Sequence, residues 1–505
     1  MSYNEILRLA LERGFFFPTA EIYSNTPAGL WDYGPLGVKL RERFVELWRK
    51  EVVRRDDMIE VDGALIMPRD VFVASGHLES FVDPVVQCKA CRAVIRADRY
   101  INERTGLQVP ERAPEAEMDR MISEHGLRCP TCGGELGNVS KFNMMFSLNV
   151  GISGETAYLR PETAQSIFVS FQRVYRVMRL KLPVGLAQFG KSFRNEISPR
   201  QSLMRMREFY QAEAEIFFNP EKANLFNKFE TFKDFKINIC KKEKNGGNSW
   251  KTSSLTCLEA LESGILPNKL VAYYLALIGR FYEVAGVDPS NIRFRVLGDD
   301  ERAFYAEAAY DLEVKTSLGW IELVACNYRT DYDISRHAAV SKQDLSVVDD
   351  GKKIIPHVFE LSMGVDRSLY VVLEQSFQRE DERDVLRIKQ YLCPVQLGIF
   401  PLVTKDGLPE YALEVYGHLK LDFDCYYDDS GSIGRRYRRA DEVGVPVCLT
   451  VDYQSLRDDT VTLRDRDTMG QIRLGRDKVY MFLKDFLGGK SFGDVAKELG
   501  AVWIK

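Results

Sequence analysis

The segment 208–218 constrains the fold more than any other part of the chain, because apolar and polar side chains alternate along it. Successive side chains of a β-strand point to opposite faces, so the alternation predicts a strand with one apolar face and one acidic face. The apolar face carries Tyr210, Ala212, Ala214, Ile216 and Phe218, and the polar face carries Gln211, Glu213 and Glu215. A strand of this kind borders either solvent or a polar site.

A second strand is predicted over 185–194, and the loop that joins the two strands is rich in arginine. The planar guanidinium group binds phosphate oxygens through paired hydrogen bonds and keeps its charge at physiological pH. A hairpin that carries Arg194, Arg205 and Arg207 therefore suits a nucleotide, with Glu196 as the acceptor for an adenine amino group. A solvated hairpin tip is the alternative.

Residues 358–363 are predicted to form a strand that turns at Gly364 into a helix reaching residue 377. Arg367 falls in the first turn of this helix, where a cation opposes the helix dipole by roughly 0.3–1 kcal/mol. This placement indicates that Arg367 faces an anion. A local ion pair with Asp366 or Glu374 is the alternative.

Two Cys-x-x-Cys pairs, Cys88 with Cys91 and Cys129 with Cys132, flank a charged stretch with helical character. Four thiolates suit tetrahedral zinc, and each pair supplies two from a tight turn. The separation is longer than in the common zinc ribbon, and disulfides are the alternative. The other six cysteines are scattered singly, which is typical of reduced thiols in the cytosol.

Length and composition exclude several classes of protein. A chain of 505 residues, 45% hydrophobic and 28% charged, is typical of a multidomain globular enzyme. We find neither a signal peptide nor an apolar run of about 18 residues, so a cytoplasmic location without a membrane partner is expected. The net charge of −4 gives no global attraction for nucleic acid. RNA would have to bind local patches, such as the four arginines around Tyr437 in 434–439, for which a solvated helix face is the alternative.

Hydrophobic periodicity and local composition predict the remaining organisation. The predicted elements are a helix over 36–55, a strand over 58–67, a helix over 159–182 with Pro161 in its first turn, a lysine-rich insertion over 219–298 and a charged linker over 379–389. From 395 to 453 strands and helices alternate, which predicts a separate α/β domain.

In this order, the elements resemble the three motifs of the class II aminoacyl-tRNA synthetases. The helix and strand of 36–68 are similar to motif 1, residues 193–215 to motif 2, and residues 362–367 with their helix to motif 3. The resemblance implies an α+β protein, with an antiparallel catalytic sheet, flanking helices and a bent ATP.

Further runs narrow the resemblance to the glycyl-tRNA synthetases, in their dimeric archaeal and eukaryotic form. The matching runs are residues 31–37, 74–77, 159–165, 190–197, 329–331, 433–439 and 461–467. One departure is Leu361, which stands where the family usually has proline and so restores a backbone N–H.

The resemblance implies two sets of site residues and a reaction in which ATP activates glycine before its transfer to glycine tRNA. The catalytic residues would be Arg194, Glu196 and Arg367. ATP, with Mg²⁺, would be held by Arg194, Asn195, Glu196, Met204, Arg205, Met206, Arg207, Glu208, Phe209, Glu322, Leu323, Gly364 and Arg367. Glycine would be held by Arg96, Glu162, Phe209, Gln211, Glu213, Glu360 and Ser362. Zinc on Cys88, Cys91, Cys129 and Cys132 would order the loop that presents Arg96.

Glycine has no side chain to recognise, and one methylene contributes only about 1–3 kcal/mol. Selection of glycine over larger amino acids therefore requires a pocket with no room for a side chain at the α-carbon. Acidic residues would then bind the ammonium group. Glu162, Glu213 and Glu360, together with Ser362, suit that ammonium.

The implied domains are a catalytic core (1–87, 141–218 and 299–388), a Cys-rich zinc-binding insertion (88–140), the insertion over 219–298 and an anticodon-binding domain (389–505). The implied partners are glycine, glycine tRNA and a second copy of the chain. Two alternatives stay open. One is a class II synthetase for serine, threonine or proline. The other is a non-catalytic nucleic-acid-binding relative, similar to the mitochondrial polymerase accessory subunit.

Overall fold

The computed structural model of the protein describes residues 2–107, 109–110, 113–152, 154–199, 201–242, 250–298, 301–303, 305–381 and 383–504. The strands are β1 (Phe16–Pro18), β2 (Trp31–Tyr33), β3 (Ile59–Glu60), β4 (Ile66–Pro68), β5 (Val82–Cys88), β6 (Val94–Arg96), β7 (Leu136–Asn143), β8 (Ser147–Val150), β9 (Glu155–Leu159), β10 (Val184–Phe193), β11 (Glu208–Phe218), β12 (Lys236–Lys242), β13 (Trp250–Thr256), β14 (Ile292–Val296), β15 (Ala308–Thr316), β16 (Gly319–Thr330), β17 (Val347–Asp349), β18 (Lys352–Ile354), β19 (His357–Gly364), β20 (Phe377–Arg379), β21 (Asp384–Leu386), β22 (Leu397–Pro401), β23 (Cys425–Tyr427), β24 (Val447–Val451), β25 (Thr460–Asp465), β26 (Gln471–Gly475) and β27 (Val502–Ile504).

The α-helices are α1 (Tyr3–Arg13), α2 (Pro35–Trp48), α3 (Arg69–Ala74), α4 (His77–Ser80), α5 (Ala97–Thr105), α6 (Glu115–Glu124), α7 (Ala164–Val177), α8 (Cys257–Glu262), α9 (Lys269–Val284), α10 (Tyr332–Ser341), α11 (Val365–Ser376), α12 (Leu408–Leu419), α13 (Ile433–Glu442), α14 (Ser455–Asp458), α15 (Val479–Leu487) and α16 (Phe492–Glu498). A π-helical turn (Arg49–Val53) and a 3₁₀ turn (Arg54–Asp56) prolong α2. Among the residues described, no helix combines the length and apolarity needed to span a bilayer.

A nine-stranded sheet organises the larger part of the chain, in the order β13-β12-β14-β15-β16-β19-β11-β10-β3. The pairings at the centre of the sheet, from β14 to β10, are all antiparallel. Strand β11 lies between β10 and β19, and every residue from Gln211 to Phe218 is buried. The predicted antiparallel catalytic sheet is therefore confirmed.

The two faces of β11 meet different surroundings. Ala212, Ala214 and Ile216 join the main hydrophobic core, which also contains residues of α2, α9 and α11. The opposite face of the sheet packs against α7 and α10 in a smaller cluster that includes Phe168 and Phe217. The acids of β11 thus lie between the sheet and two covering helices rather than in solvent.

The lysine-rich stretch 219–298, interpreted from the sequence as an insertion, extends the same sheet. Its strands β12, β13 and β14 continue the sheet beyond β15. Asn268 caps the N-terminus of its helix α9, because its side chain accepts a hydrogen bond from the N–H of Val271. The helix is buried over most of its length. Residues 243–249 of this stretch lie outside the described part of the chain.

The C-terminal residues form a six-stranded sheet in the order β23-β22-β24-β25-β26-β27, parallel around β22 and antiparallel beyond β24. Helices α12, α15 and α16 cover one face, and α13 covers a second cluster around Phe400. The predicted alternation of strands and helices after residue 394 is confirmed.

The predicted boundaries of one helix and one strand were wrong. The predicted helix over 159–182 begins only at Ala164, so Pro161 precedes the helix instead of lying in its first turn. The buried Arg160 holds this segment extended by donating to the carbonyls of Gly63 and Lys191, both at 2.8 Å. The predicted strand over 58–67 is split because β3 pairs with β10 and β4 pairs with β9 in a different sheet. Between them, Gly63 approaches Ser166 so closely that a Cβ would lie 2.4 Å from the Cβ of Ser166.

The predicted charged linker, 379–389, is also more ordered than expected. It forms part of a short hairpin, β20 with β21. Arg383 from this hairpin donates to Asp441 of α13 at 2.7 Å, and Arg464 of β25 donates to the same carboxylate at 2.9 Å. This buried ion pair attaches the hairpin to the C-terminal domain.

Candidate active site

Three adjacent strands bring most of the predicted acidic side chains together. On β11, Glu213 pairs with Ser362 of β19, and Glu215 pairs with Glu360. On the other side of β19, Glu360 pairs with Asn327 of β16. These carboxylates are almost completely buried, so the polar face predicted from the alternation lines an enclosed site.

Arg329 at the end of β16 is the cation around which these acids gather. It is 1% exposed and donates to Glu360 at 2.8 Å and to Asp333 of α10 at 2.7 Å. Its guanidinium lies 3.7 Å from the ring centroid of Tyr305 and 5.0 Å from that of Phe168. Asn327 donates to the second oxygen of Glu360 at 2.6 Å.

Glu162 reaches the same site from the extended segment before α7. Its carboxylate accepts a hydrogen bond from Gln165 at 2.9 Å and lies 3.5 Å from His77 Nε2 and 4.0 Å from Arg329. Behind it, Ser75 contacts the other ring nitrogen of His77 at 2.8 Å. Because α7 begins only at Ala164, Glu162 lies in the extended segment before the helix and points into the site.

Glu213 is bound through hydroxyl and amide groups. Thr163 donates to it at 2.5 Å, and Gln211 donates to it at 3.1 Å. Thr163 donates to Oε2, whereas Ser362 donates to Oε1, the same oxygen that accepts from Gln211. Gln211 also donates to Ser362 at 3.3 Å, so the predicted residues Gln211, Glu213 and Ser362 form one connected group.

Crowding of these carboxylates moves their pKa values in opposite directions. Burial favours the neutral form of Glu162, but His77 and Arg329 outweigh burial and hold the pKa of this carboxyl below its usual range. Burial, reinforced by the charge of Glu162, raises the pKa of Glu213. Burial also raises the pKa of Glu360 to about 8, despite the opposing effect of Arg329.

Beside the acids lies a second group built from the predicted arginines. Arg194 donates to the carbonyl of Pro161 at 3.1 Å, and its guanidinium lies 5.5 Å from the ring of Phe81 and 5.3 Å from that of Phe209. Burial raises the pKa of Glu213 while the charge of Arg194 acts to lower it, which places the two groups within electrostatic reach.

Arg367 connects three of the predicted segments. It donates to the carbonyl of Met204 at 3.0 Å and to that of Glu322 at 3.1 Å, and lies 3.6 Å from the Glu322 carboxylate. The alternative, a local pair with Asp366 or Glu374, is wrong. Asp366 instead accepts from the N–H of Tyr210, and Glu374 accepts from Tyr370 and Ser317.

Several other predicted residues are engaged elsewhere. Arg205 donates to Glu196 at 2.6 Å, so these two side chains pair with each other. Arg207 donates to the backbone carbonyls of Glu196 and Ala28. Glu208 pairs with Lys191.

The remaining members of the predicted set support the site through backbone or packing. Met206 and Leu323 are buried in the core. The N–H of Asn195 donates to the carbonyl of Met144 at 2.8 Å, and Gly364 pairs with Gln211 at the end of β19.

Arg96 lies in the Cys-rich unit, where it forms ion pairs with Asp83 at 3.1 Å and Asp98 at 2.8 Å. Burial raises the pKa of Asp83, and the charges of Glu196 and Arg205 also act on this carboxyl. The loop that carries Arg96 therefore approaches the arginine group through Asp83. A role for Arg96 in glycine binding stays a prediction.

Sequence reasoning assigned no role to Arg329, Asp333, His77 or Gln165. Three of them lie in runs that carried the family resemblance: His77 in 74–77, Gln165 in 159–165 and Arg329 in 329–331. The contact between Arg329 and Glu360, for example, joins residues 31 positions apart in the sequence and depends on the register of β16 with β19. Periodicity within one element cannot reveal such a register.

The four cysteine sulfurs form one cluster. They lie within 4.8 Å of one another, with Cys88 to Cys132 and Cys91 to Cys129 each at 3.6 Å. A zinc–sulfur distance of about 2.3 Å in a tetrahedron separates sulfurs by about 3.8 Å, so the cluster fits a single zinc ion. All four cysteines are free, which is contrary to the disulfide alternative.

The arginine-rich segment 434–439 differs from its predicted form. Arg436 is buried and donates to the carbonyls of Pro401 and Gly431. Tyr437 contacts Thr450 at 2.6 Å, and Arg439 pairs with Asp428. Part of this segment therefore stabilises the C-terminal domain, and Arg436 is withdrawn from the predicted patch, whereas Arg435 and Arg438 are exposed. A role of the segment in RNA binding stays a prediction.

An antiparallel sheet that carries an arginine hairpin and a cluster of buried acids, followed by an α/β domain, is the arrangement of a class II aminoacyl-tRNA synthetase. Residues 149–376 match the tRNA synthetase class II core domain (G, H, P, S and T), and residues 396–486 match an anticodon binding domain. A crystal structure of the RNA binding domain of threonyl-tRNA synthetase from Cryptosporidium parvum has a similar fold, with a TM-score of 0.58 at 18% identity over 95% of this chain and 98% of that one.

Curated relatives narrow the class to one family. The chain is 39% identical to the glycine–tRNA ligase of Aeropyrum pernix, over 96% of this chain and 97% of the relative. It is 37% identical to the glycine–tRNA ligase of Methanocaldococcus jannaschii, over 96% of this chain and 99% of the relative. The chain belongs to the glycine–tRNA ligase family.

Proposed function

We propose that the chain attaches glycine to glycine tRNA in two steps. Glycine attacks the α-phosphorus of ATP to give glycyl-adenylate and pyrophosphate, and a ribose hydroxyl at the 3′ end of the tRNA then takes the glycyl group. One observation supports this function above all. Buried acids suited to an ammonium group lie next to Arg194, which is suited to a phosphate.

The acids account for recognition of glycine. Glu162, Glu213 and Glu360 can accept the three ammonium N–H groups, and Ser362 fixes the orientation of Glu213. Tyr305 stacks over Arg329 at 3.7 Å and fills space beside these acids. Larger amino acids are rejected because a side chain at the α-carbon would displace these packed groups.

Positive charge next to the phosphates accounts for activation. Arg194 holds the α-phosphate as the glycine carboxylate approaches, and Arg367 holds the γ end of a bent triphosphate. The glycine carboxylate is itself the nucleophile, so no side chain takes that role. Alignment of the two substrates supplies much of the rate. The sequence prediction that Glu196 accepts from adenine requires Arg205 to share that carboxylate or release it.

Mg²⁺ fits the acids at the far end of this group. Burial, together with the charge of Glu322, raises the pKa of Asp311 to about 8 against the opposing charge of Arg295. Glu313 pairs with Glu322 across β15 and β16. Glu322, with Asp311 and Glu313 near it, would hold the ion, which would share the charge of the leaving pyrophosphate.

Zinc, a second copy of the chain and tRNA complete the proposal. Cys88, Cys91, Cys129 and Cys132 would hold structural zinc and so order the Arg96 loop. Strand β3 forms an edge of the catalytic sheet next to α2, which is the region expected to meet a second copy. The domain after residue 389 would bind the anticodon. The proposed location is the cytoplasm.

ATP–pyrophosphate exchange with a panel of amino acids tests the first step, and charging of purified glycine tRNA tests the second. Glycine alone is expected to support exchange. Equal exchange with alanine or serine would contradict the exclusion of side chains. Failure to bind ATP would instead favour the non-catalytic alternative. Sedimentation of the purified protein would test the dimer.

A further inference from the structure

Glu215 is a buried carboxyl group that the proposed mechanism does not use. It lies on the acidic face of β11 and is 0% exposed. Neither of its side-chain oxygens accepts a hydrogen bond from any described residue. An ionised carboxylate without donors is very costly inside a protein, so this group needs another explanation.

Within the described part of the chain, the one cation known to act on Glu215 is Arg329, and it is already engaged by other acids. Glu360 of β19 is its direct cross-strand partner, and Glu213 lies two positions before it on the same face of β11. Arg329 of β16 acts on it electrostatically, but already forms hydrogen bonds with Glu360 and with Asp333 of α10. On its other side, Glu215 pairs with Leu186 of β10.

Under these conditions the neutral carboxylic acid is the stable form. Burial, reinforced by the charge of Glu360, raises the pKa of Glu215 well above its ordinary range. A carboxylic acid has an O–H to donate, and its direct cross-strand partner, Glu360, offers carboxylate oxygens as acceptors. Cross-strand partners on one face have Cβ atoms about 4.5–5.5 Å apart, which lets two glutamates meet.

We propose that Glu215 is a positioning residue for glycine activation, whose carboxylic acid O–H donates to Glu360 and holds that carboxylate toward the substrate ammonium. This inference rests on the proposed function, because it assigns Glu360 to the ammonium. With Arg329 and Asn327 on its other side, Glu360 would be fixed from three directions. Its ionised form would also be stabilised by a neutral neighbour instead of repelled by a charged one.

The test compares two variants of equal side-chain length, Glu215→Gln and Glu215→Met. Glutamine keeps a permanent donor to Glu360, whereas methionine fills the same space without one. The Met variant is expected to raise the KM for glycine in pyrophosphate exchange about tenfold or more, with the KM for ATP within twofold of wild type. The Gln variant is expected to restore the KM for glycine to within about threefold.

Thermal unfolding separates this role from a structural one. Methionine removes a buried polar group, so the Met variant is expected to melt at or above the wild-type temperature while its glycine KM is impaired. An unchanged glycine KM in the Met variant would overturn the proposal, and so would a Gln variant as impaired as the Met variant.

Infrared difference spectroscopy provides a measurement that does not depend on the Met variant folding. Wild-type protein should show the carbonyl stretch of a protonated carboxylic acid that persists with glycine bound and is lost in Glu215→Gln. Absence of this band in wild type would refute the proposal. If wild type gave no glycine-dependent exchange, the proposed function would fail, while the spectrum would still report the protonation of Glu215.

Discussion

Glycine binding is expected to release a proton from Glu360. In the free protein, burial raises the pKa of this carboxyl to about 8, so it is mostly neutral near pH 7. An ammonium group placed against it favours the ionised form and lowers the pKa again. The proton that Glu360 gives up must leave the enclosed site and enter the buffer.

The size of the effect follows from the raised pKa. A group with a pKa of about 8 is about 0.9 protonated at pH 7 and about 0.2 protonated at pH 8.5. If the bound ammonium lowers the pKa below about 6, nearly all of that proton is released. We therefore expect about 0.8–0.9 proton per glycine at pH 7 and about 0.2 at pH 8.5.

Calorimetric titration of glycine in buffers of different ionisation enthalpy measures this number directly. The titration is done with a non-hydrolysable ATP analogue present, so that no chemistry follows binding. Glu360→Gln is the matched control, since it keeps the shape of the side chain and removes its proton. Proton release that is near zero at pH 7, or unchanged between the two pH values, would refute the reasoning.

Three further predictions concern single residues. Glu162→Gln should lower kcat/KM for glycine about 100-fold by removing one charge-assisted contact, with ATP affinity unchanged; an equal loss of ATP affinity would contradict this. Arg367→Lys should raise the KM for ATP about tenfold because lysine lacks the planar fork, whereas the exposed Arg8→Lys should have no effect. Cys91→Ser should lose bound zinc, measured by metal analysis with Cys425→Ser as control, and stoichiometric zinc in Cys91→Ser would contradict the cluster.

The linkage between pH and stability has a definite sign at Glu360. The pKa of Glu360 in the folded protein lies above its ordinary value, so the folded protein is more stable when this carboxyl is neutral than when it is ionised. This contribution is complete below the ordinary pKa of about 4.3 and is lost as pH rises through about 8. Glu360→Gln should therefore gain thermal stability relative to wild type more at pH 8.5 than at pH 6.

The features that the sequence predicted correctly share a local origin. Alternation places Glu213 and Glu215 on one face of a strand, and the short spacing of each Cys pair places two thiolates on one turn. The turn at Gly364 likewise places Arg367 at the start of a helix. Each of these depends on neighbours only a few positions apart, which a single sequence contains.

The features that it did not predict depend on contacts between distant segments. Arg160 holds its own segment extended by reaching Gly63 and Lys191, and this moves the start of α7 past Pro161. Arg436 is buried because its guanidinium satisfies carbonyls of Pro401 and Gly431. A helical pattern that contains four arginines does not reveal which of them lies inward.

The surplus of buried acids is the strongest physical reason to assign a cationic ligand to this site. Glu162, Glu215, Glu360 and Asp333 interact with Arg329, Glu213 interacts with Glu162 and Glu360, and all five acids are almost fully buried. A purely structural site would be more stable with fewer carboxyls, because unpaired buried acids oppose folding. Protonation lessens that cost in the free protein, and a bound ammonium would remove more of it. We therefore expect a small cation to complete this arrangement, and the packing of Tyr305 and Phe168 against Arg329 favours a ligand without a side chain.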